Sequence, residues 1–371
     1  MSNIDYYELV RQKLSVGGHG APKHKKVIEF LKVIWSEEEA KLLSQMDGIG
    51  KFTTARKLAK KTGMDKKKVK EILDRVASIG TILKLGSQYS LLPFVPGIFE
   101  FYYLTHSDSE ENLRKGAEIF DEIIEKVLPG LLTSGKNALF WPKLPIGSKE
   151  KVLNIDQTVE TGTEVLSFEL VEEMIEKSDY YAKLPCQCRM VGELTGNPCK
   201  IAPPDIGCFV TGIVAKQLVS MGIGEELTKE EAIDYLKRAE KAGLVHNGGN
   251  LSGGATHFLI CNCCPCHCGA LYPQAKYRTK GIKKSNFQPV INHELCIKCE
   301  TCINKCPMNA IFHRWPFQED NSDERIVIRE DLCIGCGICS VNCPKEAITM
   351  EKISNNVPPK NLPINLGAFG I

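Results

Sequence analysis

The sequence predicts an α+β protein built in successive parts, and three observations predict it. Through the first third, apolar residues recur at helical spacing and are followed by two short strand-like runs. All 17 cysteines fall between Cys186 and Cys343, and the first half has none. Near the C-terminus, residues 292–311 match residues 329–348 at an offset of 37.

Composition narrows the class further. The 371 residues are 43% hydrophobic and 25% charged, which excludes global disorder. With 47 Lys and Arg against 45 Asp and Glu, whole-chain charge selects no partner. No apolar run approaches the ~18 residues of a membrane span, and Pro93 and Pro96 interrupt the best stretch, 91–104. The opening MSNIDYYELVRQKL lacks the charged-then-apolar pattern of a signal peptide. A cytoplasmic location is therefore expected, where stable disulfides are not. Dense thiols in such a compartment point to metal or redox chemistry.

The elements follow in order. Residues 1–21 end in Gly-Gly-His-Gly and read as a loosely held lead-in. Val27, Ile28, Leu31 and Ile34 predict a helix over 24–35. Ser36 and Glu39 form a capping box for the next helix, which carries Ala40, Leu42, Leu43 and Met46. After the turn at 47–50, residues 54–62 form a short helix stopped by Gly63. Residues 65–78 form another, with Val69, Ile72, Leu73 and Val76 on one face and Gly80 as its stop. Residues 81–92 read as two strands around Gly86-Ser87. Helices, a tight turn and a hairpin in this order resemble a winged helix-turn-helix domain, placed at 22–105.

The part from 106 to 285 is expected to be a Cys-rich α+β domain. Residues 110–128 form an amphipathic helix ended by Pro129-Gly130. A second helix over 167–177 is capped by Ser167, and 131–165 is loop-rich. Thr228 and Glu231 cap a helix over 228–242 that ends at Gly243. Residues 274–285 are basic and linker-like, and 351–371 form a C-terminal tail.

Each repeat unit has the spacing C-x2-C-x2-C-x3-C-P: Cys296, Cys299, Cys302, Cys306-Pro307, then Cys333, Cys336, Cys339, Cys343-Pro344. Three thiolates at that spacing can wrap one face of a cubane, whereas zinc takes two pairs separated by a longer loop. The part from 286 to 350 resembles a bacterial-type two-cluster ferredoxin. That resemblance implies two [4Fe–4S] clusters, with the fourth cysteine of each run serving the other cluster. One cluster would be held by Cys296, Cys299, Cys302 and Cys343, the other by Cys333, Cys336, Cys339 and Cys306. Lys298 and Glu300 stand where the second repeat has Gly335 and Gly337, so unequal cluster potentials are expected.

Nine cysteines remain: Cys186, Cys188, Cys199 and Cys208, then Cys261, Cys263, Cys264, Cys266 and Cys268. Five within eight residues cannot all point into one apolar core, so metal binding is expected. They could serve one cubane with spare thiols, or two with one left over. A third iron–sulfur cluster is favoured, and zinc remains open with His246, His257 and His267 nearby. Arg189 could hydrogen-bond a cluster or a bound anion, or form a surface salt bridge. Over 90–350 the pattern resembles that of multi-cluster ferredoxin-like proteins of anaerobic bacteria and archaea. His267 interrupts the cysteine triplet that follows CNCC in that family. The noncubane site of heterodisulfide reductases needs paired CCG motifs, and Cys263-Cys264 is followed by Pro265.

Residues 51–70 carry Lys51, Arg56, Lys57, Lys60, Lys61, Lys66, Lys67, Lys68 and Lys70 against Asp65 alone. Such a face attracts a phosphate backbone or an acidic redox partner. Base-reading candidates are only Thr53, Thr54 and Arg56. No G-x-G-x-x-G follows a strand, and there is no P-loop. The sequence is thus best read as an electron carrier, a component of an anaerobic oxidoreductase system rather than an independent enzyme, working with a redox protein partner. The alternatives are a redox-sensing DNA-binding regulator and a stand-alone reductase.

Overall fold

The computed structural model describes residues 4–15, 20–133, 138, 140–148, 169–249, 258–315 and 324–356. They form an α+β architecture that divides into two compact units. One contains Met1–Gly130 and Gln187–Pro198; the other contains Leu131–Cys186 and Cys199–Asn361.

In the first unit the helices are α1 (Tyr6–Arg11), α2 (Lys25–Ile34), α3 (Glu37–Leu43), α4 (Ala55–Thr62), α5 (Lys66–Ser78), α6 (Phe99–Thr105) and α7 (Glu110–Lys126). Their limits follow the sequence signals. Ser36 and Glu39 make a reciprocal capping box at α3. Thr54 caps α4, whose end is turned by Gly63 at φ 72°. Asp65 caps α5, which buries Val69, Ile72, Leu73 and Val76. Strands β1 (Thr53–Thr54), β2 (Ile82–Leu85) and β3 (Gln88–Leu91) form a sheet in the order β1-β3-β2.

Three expectations for this unit are corrected. Residues 1–21 are not merely a loose lead-in: among them α1 buries Val10, Leu14 is fully buried, and Tyr7 donates its hydroxyl to the Trp35 carbonyl at 3.0 Å. The unit also runs past residue 105. Phe99 of α6 stacks on Phe120 of α7 at 3.6 Å between ring centroids, and Phe30 of α2 meets Phe120 edge-on. Burial of these rings joins α2, α6 and α7 in one core. Finally, helix Gln187–Leu194 belongs here, packed on α6 and α7.

The second unit is built on a sheet of six strands among the described residues. These are β4 (Phe140–Pro142), β5 (Tyr181–Leu184), β6 (Cys208–Thr211), β7 (Glu225–Leu227), β8 (Val245–Gly249) and β9 (Leu259–Cys263). Their order is β4-β8-β9-β6-β5-β7, with every neighbour antiparallel. One face carries Tyr181, Phe209 and Ile260 against Tyr235 and Leu236 of helix Lys229–Ala242, and against Met174 and Ile175 of helix Val171–Glu176. On the other side lies a core of Val245, Cys263, Cys268, Leu271, Met308, Ile334 and Ile338. That core joins residues from both sides of position 286, so 106–285 and 286–350 are not separate bodies here.

Two local readings also change. Helix Val171–Glu176 has Leu170 at its N-cap, with no side-chain cap, and Ser167 lies outside the described residues. Residues 274–285 are packed, not a linker: Gln274 exchanges hydrogen bonds with the Ile282 backbone, and Thr279 and Ser285 are buried. Most of the tail 351–371 lies outside the described residues. The rest of the unit pairs β10 (Phe287–Ile291) with β13 (Ile348–Lys352) and β11 (Ile311–Arg314) with β12 (Arg325–Ile328).

Candidate metal centres

The two repeats fold alike because each loop turns through the left-handed region twice, at Lys298 and Glu300 (φ 56° and 59°) and at Gly335 and Gly337 (φ 68° and 75°). A short helix follows each loop, Thr301–Lys305 and Ile338–Val341, and the two helices pack together. The third cysteine of each run lies on its helix and the fourth follows just beyond it.

This arrangement brings the eight cysteines into two groups. One cavity is lined by Cys296, Cys299, Cys302 and Cys343, with Ile291, Ile326 and Ile348 among its apolar walls. A second is lined by Cys306, Cys333, Cys336 and Cys339, with Met308, Ile311 and Ile334. Each cavity thus draws three thiols from one repeat and one from the other. Backbone amides donate to these sulfurs: Ala310 to Cys306 at 3.2 Å, Ala347 to Cys343 at 3.3 Å and Gly335 to Cys333 at 3.4 Å. Such bonds stabilise thiolate and tune a metal centre.

The cavities differ in exposure. A Cβ on Gly335 would run into the Phe287 carbonyl and the Ser285 hydroxyl. One on Gly337 would lie 2.7 Å from Pro145. The second loop is therefore clamped, and burial pushes the Cys336 and Cys339 thiols up. The first loop is open. Cys299 is exposed, and the Thr301 hydroxyl beside it holds its thiol down. Side chains therefore fit at the matching positions, where they build a charged network. Lys298 pairs with Glu324 at 3.1 Å, and the His313 ring lies 2.7 Å from Glu300 and 2.9 Å from Glu324. His313 also stacks on Trp315 at 4.0 Å. Nothing in the spacing of the repeats signalled His313, which lies on the β11–β12 hairpin and reaches Glu300 of the loop.

The middle cysteines also form groups. Phe209 pairs with Ile260 and Asn247 with Cys261, so Cys208, Cys261, Cys263 and Asn247 share one face of the sheet. The Cys208 and Cys261 sulfurs are 3.6 Å apart. Cys263 lies between the thiols of Cys261 and Cys268, which hold it well below the usual thiol range, whereas Cys261 and Cys268 are pushed up. Asn247 is fully buried, and its amide has no hydrogen-bond partner of ordinary geometry; the Cys263 sulfur is its polar neighbour. Separately, the sulfurs of Cys199, Cys264 and Cys266 all lie within 4.8 Å of one another.

The remaining sites are placed as follows. Cys186 is buried and donates its backbone N–H to Pro204 at 2.7 Å. Cys188 and Arg189 lie on helix Gln187–Leu194 in the other unit, and Arg189 is fully buried rather than at the surface. His246 is a core residue: its ring lies 2.7 Å from Asn262 and 3.2 Å from Glu240. Both nitrogens are engaged, so it offers no metal ligand. His257 lies outside the described residues, and His267 is buried. In the basic stretch all nine Lys and Arg residues are exposed. Lys61, Lys67, Lys68 and Lys70 pair with Asp47, Glu71, Glu38 and Asp74. Thr54 is spent on capping, accepting from the Lys57 amide at 3.3 Å.

Residues 289–350 match the family model described as a 4Fe-4S dicluster domain. No curated protein and no solved structure matches the chain. The matched span contains both cysteine runs, and this identifies an iron–sulfur, 4Fe–4S-binding protein. Among the described residues, no helix is long and apolar enough to cross a membrane.

Proposed function

We propose that the chain is an electron carrier serving an oxidoreductase system of anaerobic metabolism. Two [4Fe–4S] clusters would be held by Cys296, Cys299, Cys302 and Cys343, and by Cys333, Cys336, Cys339 and Cys306. The observation that carries the reading is the pair of four-cysteine cavities with crossed membership. The donor set suits the group: four thiols per cavity, apolar walls and amide donors to sulfur. When bound, the clusters supply one-electron transfer at low potential.

The chain's own residues set the route. Cys302 and Cys339 share one apolar cluster with Ile311, Ile326 and Ile348, which links the two cavities through buried side chains. Leu295 and Ile297, exposed by 52% and 57%, flank Cys296 on the open loop. We read this loop as the contact for a redox protein partner, the clamped second site lying further along the path. A third iron–sulfur centre is assigned to Cys208, Cys261, Cys263 and Cys268. Cys263 and Cys268 share a core with Met308 and Ile334, on which Cys306, Cys333 and Cys336 also pack.

Iron and acid-labile sulfide counts on anaerobically purified protein test the reading. About twelve of each per chain are expected for three clusters, and about eight would remove the third.

The first unit is read as winged-helix-like, from its helix order and three-stranded sheet. Its exposed lysines favour an acidic partner protein. DNA binding is the second reading, favoured by the same nine cations. Titration with duplex DNA at two salt concentrations separates them: nanomolar, sequence-dependent binding that changes with cluster oxidation would make the chain a regulator.

A further inference from the structure

Thiols in the second unit are gathered at two different scales. The eight cysteines of the repeats line two cavities without any three of their sulfurs closing to within 4.8 Å of one another. Among the described residues, only Cys199, Cys264 and Cys266 bring three possible metal-ligand atoms all within 4.8 Å of one another. The difference has chemical content. A cubane places four irons and four sulfides between its thiolates and holds them far apart. A single tetrahedral ion with metal–sulfur bonds of ~2.3 Å draws its thiolates to about 3.8 Å from one another. The trio converges as the second case requires, whereas the sulfurs of the two repeat cavities do not.

We propose that Cys199, Cys264 and Cys266 bind a single zinc ion, with the fourth position taken by a group outside the trio. Zinc suits a compact thiolate site: it is tetrahedral, sulfur-loving and redox-inert.

The site also has something to hold. Residues 199–207 carry no helix or strand, yet Cys199 and Ile201 pack with Ala202, Ala239, Leu244 and Cys264. A metal here fastens that loop to the Cys264–Cys266 turn and to the end of helix Lys229–Ala242. The role is structural, standing apart from electron transfer.

The test uses the full chain purified without oxygen and without chelator. Metal analysis is expected to give about one zinc per chain beside the iron. Cys199→Ser and Cys266→Ser are expected to lose the zinc while keeping iron, sulfide and visible absorbance. Should either variant fail to fold, X-ray absorption at the zinc edge of the wild-type protein decides. A predominantly sulfur shell at about 2.3 Å supports the site. Zinc well below one per chain, a nitrogen–oxygen shell, or a loss of about four irons in Cys199→Ser overturns it. Iron and sulfide counts judge the electron-carrier reading separately, because loss of iron alone leaves the zinc result standing.

Discussion

Gly335 and Lys298 occupy equivalent left-handed positions in the two repeats, yet only one of them must be glycine. At Gly335 a side chain meets the Phe287 backbone and Ser285; at Lys298 it reaches solvent and Glu324. Gly335→Ala is therefore expected to destabilise by about 1–3 kcal/mol in denaturant titration, and Lys298→Gly by much less. The network over the first cavity gives a second residue-scale prediction. Glu300 lies on the cavity wall beside Cys299, and a negative charge there disfavours the reduced, more anionic cluster. Glu300→Gln is expected to raise the potential of that cluster by on the order of tens of millivolts and leave the other unchanged. Spectroelectrochemistry checks this, and equal shifts at both clusters would contradict the placement.

A third residue acts through pH. Burial pushes the Glu100 carboxyl up to about 7 from 4.5, against the Gly97 amide that donates to it at 2.6 Å. The folded state keeps this proton to higher pH than the unfolded chain does. Stability therefore falls as pH rises between these values and stays low above them. Glu100→Gln retains an acceptor for Gly97 and removes the charge. It is expected to raise Tm at pH 8, by on the order of 1–3 kcal/mol of stability, and to leave it unchanged at pH 4. Thermal melts at the two pH values decide, and equal Tm shifts would contradict the burial of the charge.

At the scale of elements, the two short helices exchange their ligands. Each run ends beyond its helix, where the fourth cysteine reaches the cavity of the other repeat. Cys343→Ala is expected to perturb the cluster of the first repeat, read from its EPR signal, and Cys306→Ala that of the second. Loss of only the cluster in the repeat that carries the mutation would refute the crossing.

Elements also show what the sequence makes legible. Helices with a capping signal and a sustained apolar face lie where the pattern places them: Ser36 and Glu39, Thr228 and Glu231, and the face Val69–Val76 are explicit. The sheet of the second unit is not. Its strands run three to five residues, and β8 reads VHNGG while β9 reads LICNC. Glycine, asparagine and cysteine stand where strand patterns carry branched apolar residues, so periodicity is silent. The α1 helix is missed for a related reason: a single turn and a half buries Val10 with too little repetition to register. Residues 274–285 look like a basic linker because their anchoring uses Gln274 and backbone groups rather than apolar side chains. At the site itself, ligand spacing is local and readable. The partition of the middle cysteines depends on strand register and becomes visible only when β6, β8 and β9 are aligned.

For the molecule as a whole, the second unit reads as one metal-bearing body. The sheet, the helix Lys229–Ala242 and the repeats share cores, and Lys305 and Asn342 bind the carbonyls at that helix's C-terminal end. Oxygen exposure or chelation is accordingly expected to loosen the sheet together with the repeats. Hydrogen exchange would show β8 and β9 losing protection alongside β10 and β13. Protection retained in β8 and β9 would mean that the two parts fold independently.

The most direct measurement is the visible spectrum of the anaerobically isolated chain with its iron and sulfide content, before and after dithionite. The account predicts a brown protein whose broad absorbance bleaches on reduction, carrying at least about eight irons and as many sulfides per chain. A colourless protein, or one with iron but no acid-labile sulfide, would contradict it.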